Sequence, residues 1–245
     1  MSDKVRIFIG TSANGEDVEA EMTYEYSLRK NTKHDVEITW MKQTRDESSL
    51  WGGWDTRNWS TPFSGFRWAI PEACEFKGRA IYTDCDMINF RDISNLLNVD
   101  MKGKPVAARK GSRFGGHEFC VMVFDCERFE HYSMPVSRMK KIRESHHRMI
   151  NNFTGNDALV QELDRRWNCL DGEDFVPEDI WLLHYTKMAS QPWQPKWFKG
   201  TPEKHARPEI AQLWYDMRDE ASTAGYVSGN YIPDDPYGEY NIIGM

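Results

Sequence analysis

Ile81-Tyr82-Thr83-Asp84-Cys85-Asp86-Met87 is the stretch on which the reading of the chain turns. A β-prone run feeds directly into Asp-x-Asp. In an extended chain, residues two apart project to the same side. Asp84 and Asp86 would therefore present two carboxylates together at the C-terminal edge of a parallel strand, the edge where open α/β sheets bind ligands. Crowded carboxylates repel unless a cation sits between them, and hard oxygen donors of this kind suit Mn²⁺ or Mg²⁺. Such an ion is well placed to neutralise a diphosphate. Asp-x-Asp is short and solvated turns contain it often, so its weight depends on the rest of the chain.

Upstream, Val5 to Ile9 is an apolar run ending at Gly10 and reads as a buried first strand. A turn over Thr11 to Gly15, a helix over about Val18 to Lys30 and a strand over Val36 to Met41 follow. This β-loop-α-β opening predicts a parallel sheet with crossover helices. Lys42 to Ser60 is polar, carries Trp51, Trp54 and Trp59, and reads as a long surface loop, either a binding loop or one anchored by its tryptophans. Thr61 and Pro62 suit the start of a helix running to about Phe76. Beyond the Asp-x-Asp strand, the pattern predicts strands at Pro105 to Ala108, Phe119 to Phe124 and Ile180 to Tyr185. It predicts helices around Met139 to Met149, Asp157 to Trp167 and Pro208 to Ala224, then a coiled tail on the surface.

The totals narrow the classes. The 245 residues suffice for one α/β domain with a full core. The formal charge of −7 argues against a nucleic-acid binder, which needs a basic face. The basic run Arg138-Met139-Lys140-Lys141-Ile142-Arg143 reads as a solvated helix face. No apolar run approaches the ~20 residues of a membrane helix, and Met1 to Lys4 leads straight into a strand-like run with no signal peptide, so a cytoplasmic location is expected. Peripheral membrane contact through the Trp-rich loop or the tail stays open. Five cysteines without a C-x-x-C pair read as reduced, mostly buried thiols. His146-His147 lies on a helix, where adjacent residues diverge too far to share an ion easily, and reads as an exposed face.

Far downstream, His184 closes an apolar run and opens a short loop ending at Pro192-Trp193. Neutral imidazole is a good Mn²⁺ ligand, although a lone histidine is more often a core residue. Lys187 could meet phosphate as a point charge. Trp193, Trp197 and Phe198 could stack on an acceptor or pin this loop to the core.

Taken together, these segments resemble the glycosyltransferases of family eight, a retaining group with the GT-A fold, over roughly Lys4 to Trp197. Arg6 to Thr11 resembles the nucleotide-binding strand, and Tyr24 to Asn31 the helix after it. Phe63 to Ala73 resembles the helix whose arginine, here Arg67, reaches the donor. Arg79 to Leu97 resembles the "Tyr-Leu-Asp-x-Asp-Met" strand with its following segment, and His184 to Trp193 the "His-Tyr-x-Gly…Lys-Pro-Trp" loop. The resemblance implies a Rossmann-like GT-A domain over 1–199, with a central mostly parallel sheet flanked by helices, and a C-terminal helix and extended tail over 200–245 packed on the same domain. It implies Asp84, Asp86 and His184 as ligands of Mn²⁺ (or Mg²⁺). Thr11, Ser12, Arg67, Asp84, Cys85 and Lys187 would lie against the donor. Glu118 stands where the family has the asparagine of "Asn-Ser-Gly-Val-Met", and Asn156-Asp157 where it has "Gln-Asp"; these three are the candidate catalytic residues. The implied activity is transfer of a hexosyl or pentosyl group, with retention, from a nucleotide-diphosphate sugar such as a UDP-sugar to a glycan, lipid-linked or protein acceptor. Two alternatives stand beside it. One is a nucleotidyltransferase that makes nucleotide sugars, which would favour a basic residue in the loop from Gly10 to Gly15, where none occurs. The other is a non-catalytic nucleotide-sugar binder.

Overall fold

Val5–Gly10 forms β1, and its alternate side chains feed two different cores: Ile7 and Ile9 on one face, Phe8 on the other. A strand buried on both faces needs a layer on each side, the usual situation of a parallel sheet. In the computed structural model, which describes residues 4–111, 116–194, 198 and 200–238, β1 is joined by β2 (Val36–Met41), β3 (Arg79–Asp84), β5 (Val106–Lys110), β6 (His117–Asp125) and β7 (Val160–Glu162). Their order is β2-β1-β3-β6-β5-β7, and only β6 runs against the others. The largely parallel α/β sheet expected from the opening segment is therefore present.

The helix Val18–Asn31 crosses over between β1 and β2 and lays Tyr24 and Leu28 on one face of the sheet. The opposite face is covered by an aromatic layer that includes Trp54, Trp59, Phe66, Trp68, Phe129 and Phe153. Large side chains of this kind contribute about 1.5–3 kcal/mol each when fully buried. Two tryptophans of the segment read as a surface loop, Trp54 and Trp59, are thus core residues, and Trp51 is half-buried.

A second sheet fixes the far part of the chain. Its strands are β4 (Met87–Asn89), β8 (Cys169–Leu170) and β9 (Leu182–His184), in the order β4-β9-β8. β4 pairs antiparallel with β9, with Met87 opposite His184. The helix Pro208–Thr223 packs Ile210, Trp214 and Met217 against Trp193, Tyr185 and Ile88. No helix among the described residues is long and apolar enough to cross a membrane.

Three sequence expectations fail for local reasons. The helix expected over Thr61 to Phe76 is instead a run of turns, a 3₁₀ segment Phe66–Ala69 and a single α-turn Ile70–Ala73. Pro71 has no amide hydrogen to donate inside a helix. The Ser64 hydroxyl accepts from the Thr61 amide and bonds the Thr61 hydroxyl, a local alternative to helical bonding. The helix expected over Asp157 to Trp167 is strand β7 followed by the 3₁₀ segment Arg165–Asn168, whose start is capped by Asp164 accepting from the Arg166 amide. The exposed helix face assigned to His146-His147 holds for His147 alone. His146 is buried and accepts a 3.1 Å bond from the Trp68 indole, and burial pushes its imidazole down to about 3. Trp197 and Met1 to Asp3 lie outside the described residues.

The aromatic layer depends on one close approach. A Cβ at Gly65 would lie 2.3–2.8 Å from three atoms of the Trp59 ring, whereas one at Gly172 meets nothing within 4 Å. Overpacking of this kind costs about 1–3 kcal/mol. Gly65→Ala is expected to lower the thermal midpoint by several degrees, while Gly172→Ala leaves it unchanged. Equal midpoints for the two variants in a circular-dichroism melt would contradict this packing.

Candidate functional site

β1 and β3 are parallel and in register, with Gly10 opposite Asp84. Both strands therefore end at the same edge, so the loop from Thr11 and the Asp-x-Asp turn emerge side by side. The Cys85 amide donates to the Gly10 carbonyl at 3.1 Å, tying the two exits together. The Cys85 side chain packs into the core among β1 and β3 residues.

His184 reaches the same edge through the second sheet. Pairing of Met87 with His184 sets the imidazole beside Asp86, and the Tyr185 amide donates to the Asp86 carbonyl at 3.0 Å. His184 Nε2 lies 3.3 Å from Asp86 Oδ1. Ligand atoms of Asp84 and His184 also lie within 4.8 Å of each other, so the imidazole stands near both acids; the mutually adjacent set is Asp84, Cys120 and His184, and Asp86 adjoins it through His184. Asp86 Oδ1 is buried and has no hydrogen bond of good geometry. An orphaned carboxylate oxygen is costly unless a cation or a proton meets it.

The electrostatics of the cluster follow from its burial. Burial raises the Asp84 carboxyl above its ordinary range; Arg67 opposes the rise, and Asp86 adds to it. For His184, burial disfavours the imidazolium, but Asp86, Asp84 and Asp171 outweigh it and raise the imidazole above its usual value. The surroundings thus favour positive charge beside Asp84 and Asp86, as an imidazolium or as a bound cation.

Two residues that no sequence pattern singled out belong to this site. Asn168, fully buried at the end of the 3₁₀ segment that precedes β8, places Oδ1 3.1 Å from His184 Nδ1. With Nδ1–H donating to that oxygen, the lone pair of a neutral imidazole sits on Nε2, toward Asp84 and Asp86. Cys120 is the other: its Sγ and the ligand atoms of Asp84 and His184 all lie within 4.8 Å of one another.

Arg67 is buried beneath the cluster. Its Nε donates to the Ser64 carbonyl at 2.7 Å, Nη1 to the Phe119 carbonyl, and Nη2 to Asp84 Oδ1 at 3.4 Å. Its guanidinium also stacks over the Tyr82 ring at 4.4 Å. Tyr82 donates its own hydroxyl to Asp84 Oδ1. One Asp84 oxygen is thus held in place from below.

On the β1 side, Thr11 and Ser12 are buried. The Thr11 hydroxyl donates to Glu21 Oε1 at 2.6 Å, and Glu21 pairs with Lys42 at 2.8 Å. Ser12 adjoins Asp17, whose carboxyl burial pushes up to about 7, with Ser12 and the Trp193 indole opposing and Glu21 reinforcing the rise. The tail crosses this loop: the Asn14 amide bonds both backbone groups of Gly238, and the Tyr237 amide donates to the Ala13 carbonyl.

The remaining candidates lie apart from the cluster or have other partners. Lys187 is exposed and pairs with Glu203. Asp157 is exposed and pairs with Lys110 at 3.3 Å and His117 at 3.5 Å. The Asn156 side chain accepts from the Ala158 amide and donates to the Asn152 carbonyl, in its own turn. Glu118 stands 3.9 Å from Arg109, whose guanidinium also binds Glu173. The loop after His184 is held from outside: Asp171 accepts from the Thr186 amide and hydroxyl and contacts His205 Nε2 at 3.1 Å, and Tyr185 donates to the Ile210 carbonyl. Trp193 is buried against Trp214, so it pins this loop to the core.

No protein-family model matches the chain, and no curated protein matches it. Solved structures do. A structure of the bifunctional glycosyltransferase WbbM superposes with a TM-score of 0.62 at 12% identity, over 95% of this chain and 51% of the WbbM chain. The glycosyltransferase GlyE of Streptococcus pneumoniae TIGR4 gives 0.62 at 12% identity, over 96% of this chain and 66% of that one. This chain thus spans about half of the first and just under two thirds of the second. The galactosyltransferase LgtC, solved in complex with donor and acceptor sugar analogs, gives 0.58 at 9% identity, over 88% of this chain and 96% of LgtC. At these identities the likeness is one of architecture: the chain has the GT-A fold of these glycosyltransferases.

Proposed function

We propose that the chain is a glycosyltransferase that binds a nucleotide-diphosphate sugar, such as a UDP-sugar, through a divalent cation held by Asp84, Asp86 and His184. The observation that carries the reading is the approach of the His184 imidazole, from far along the sequence, to both acids: 3.3 Å from Asp86 Oδ1 and within 4.8 Å of an Asp84 ligand atom. The donor set fits Mn²⁺, and Mg²⁺ less well because of the imidazole. When bound, the ion supplies Lewis-acid stabilisation of the leaving diphosphate. The chain's own residues do the rest. Tyr82 and Arg67 fix the Asp84 carboxylate, and Asn168 fixes the imidazole tautomer. The loop after β1 stands beside this cluster and forms the nucleoside side of the site. Retention of the anomeric configuration, and sugar contacts from Glu118, Asn156 and Asp157, belong to the reading through the family resemblance.

One observation favours a second reading, a nucleotide-sugar binder without transfer. Both cations expected near the diphosphate, Arg67 and Lys187, have carboxylate partners of their own. The Lys187–Glu203 pair is exposed, and exposed pairs contribute only about 0–1 kcal/mol, so Lys187 can exchange partners for a phosphate. Release of free sugar from a panel of donors supports the enzyme; tight donor binding with no release supports the binder.

Calorimetry is expected to show UDP binding that requires Mn²⁺ and disappears with chelator, in Asp86→Ala and in His184→Ala. Equal UDP affinity with and without chelator would remove the cation from the site. Asn168→Ala is expected to keep the fold but weaken Mn²⁺ binding by about 10- to 100-fold, the usual effect of losing a partner of a metal-bound histidine. Unchanged Mn²⁺ affinity in that variant would deny Asn168 its positioning role.

A further inference from the structure

Cys120 reaches the candidate site through an irregularity in β6. The strand pairs with β3 up to Val121 opposite Thr83, and with β5 at Met122 opposite Ala108. The next β5 residue, Arg109, faces Glu118 rather than Val121, so residues 119–121 have no partners on β5. Bulges of this kind re-aim side chains and recur beside active sites. Here Phe119 packs on Trp68 at 5.6 Å in the aromatic layer, and its carbonyl accepts from Arg67. Cys120 is turned toward Asp84 and His184, with its thiol outside any disulfide.

We propose that Cys120 is a further ligand of the cation site, so that the site takes thiophilic divalent ions, of the Zn²⁺ and Co²⁺ class, through Asp84, Cys120 and His184 with Asp86 beside them. The proposal rests on the reading of Asp84, Asp86 and His184 as a cation site. It changes the expected metal chemistry of that site. Two carboxylates and an imidazole form a hard to borderline set, whereas adding sulfur moves the preference toward Zn²⁺ and Co²⁺. Three protein ligands of the carboxylate, thiolate and imidazole types with an open position resemble the catalytic rather than the structural arrangement of zinc. As the sulfur–metal bond forms, the thiol proton leaves to solvent.

The ordinary affinity series already ranks Zn²⁺ above Mn²⁺ at nitrogen and oxygen sites. The diagnostic quantity is therefore the part of that preference which removal of the sulfur abolishes. Co²⁺ added to the reduced, metal-stripped full chain should give visible ligand-field bands and a near-ultraviolet thiolate-to-cobalt charge-transfer band. Cys120→Ser should lose the charge-transfer band and about tenfold or more in Zn²⁺ affinity, with Mn²⁺ affinity changed by less than about threefold. Cys120→Ala gives a second variant, and the thermal midpoint of each checks folding. Co²⁺ bands without charge transfer, or a charge-transfer band and Zn²⁺ affinity unchanged in both variants, would overturn the role of Cys120. Loss of Co²⁺ binding in His184→Ala would, in those cases, leave the cation site itself standing. No Co²⁺ binding by the unmodified chain would overturn both.

Discussion

The contact between His184 Nε2 and Asp86 Oδ1, 3.3 Å across two distant parts of the chain, is the constraint on which the rest of the site depends. It is a consequence of strand register. β4 leaves the Asp-x-Asp turn at Met87 and pairs with β9 so that Met87 faces His184. A slip of one residue would turn the imidazole to the opposite face of that small sheet. The surrounding structure guards against such a slip: Asp171 holds the Thr186 backbone, Tyr185 bonds the Ile210 carbonyl, and Trp193 stacks on Trp214. The segment after residue 200 is thus part of what positions the candidate ligand, since His205, Ile210 and Trp214 all contact it or its supports.

Burying two carboxylates and an imidazole together is unfavourable unless each charge is compensated. Compensation is visible on three sides. Arg67 and Tyr82 hold Asp84 from beneath, Asn168 holds the far nitrogen of His184, and the two acids raise the affinity of the imidazole for a proton. Asp86 Oδ1 is the least well satisfied atom of the three: it is buried without a hydrogen bond of good geometry, and His184 Nε2 lies 3.3 Å from it. Pre-set ligands of this kind spare the site the reorganisation that would otherwise accompany binding.

The parts of this arrangement that a linear reading can reach are those encoded locally. The run from Ile81 to Asp84 is β-prone and ends in an acid, and that alone puts carboxylates at a sheet edge. Val5 to Gly10 and the following helix announce the parallel sheet in the same way. The helix expected around Pro62 fails because Pro71 and the Ser64 hydroxyl act against it, both visible in the sequence but outweighed by an apparent start signal. Cys120 and Asn168 escape for a different reason. Nothing local marks either one, since the first is delivered by a bulge and the second by the pairing of β8 with β9. Lys187 shows the converse: the residue type and position suit a phosphate, but a carboxylate from later in the chain, Glu203, lies against it.

The central claim is that Asp84, Asp86 and His184 share one divalent ion. Anomalous diffraction at the manganese edge, from crystals grown with Mn²⁺ and UDP, tests it directly. The account predicts a single strong peak within bonding distance of a carboxylate oxygen from each aspartate and of His184 Nε2, with diphosphate oxygens completing the shell. A peak elsewhere, or UDP ordered in the cleft without any peak among these three side chains, would contradict it.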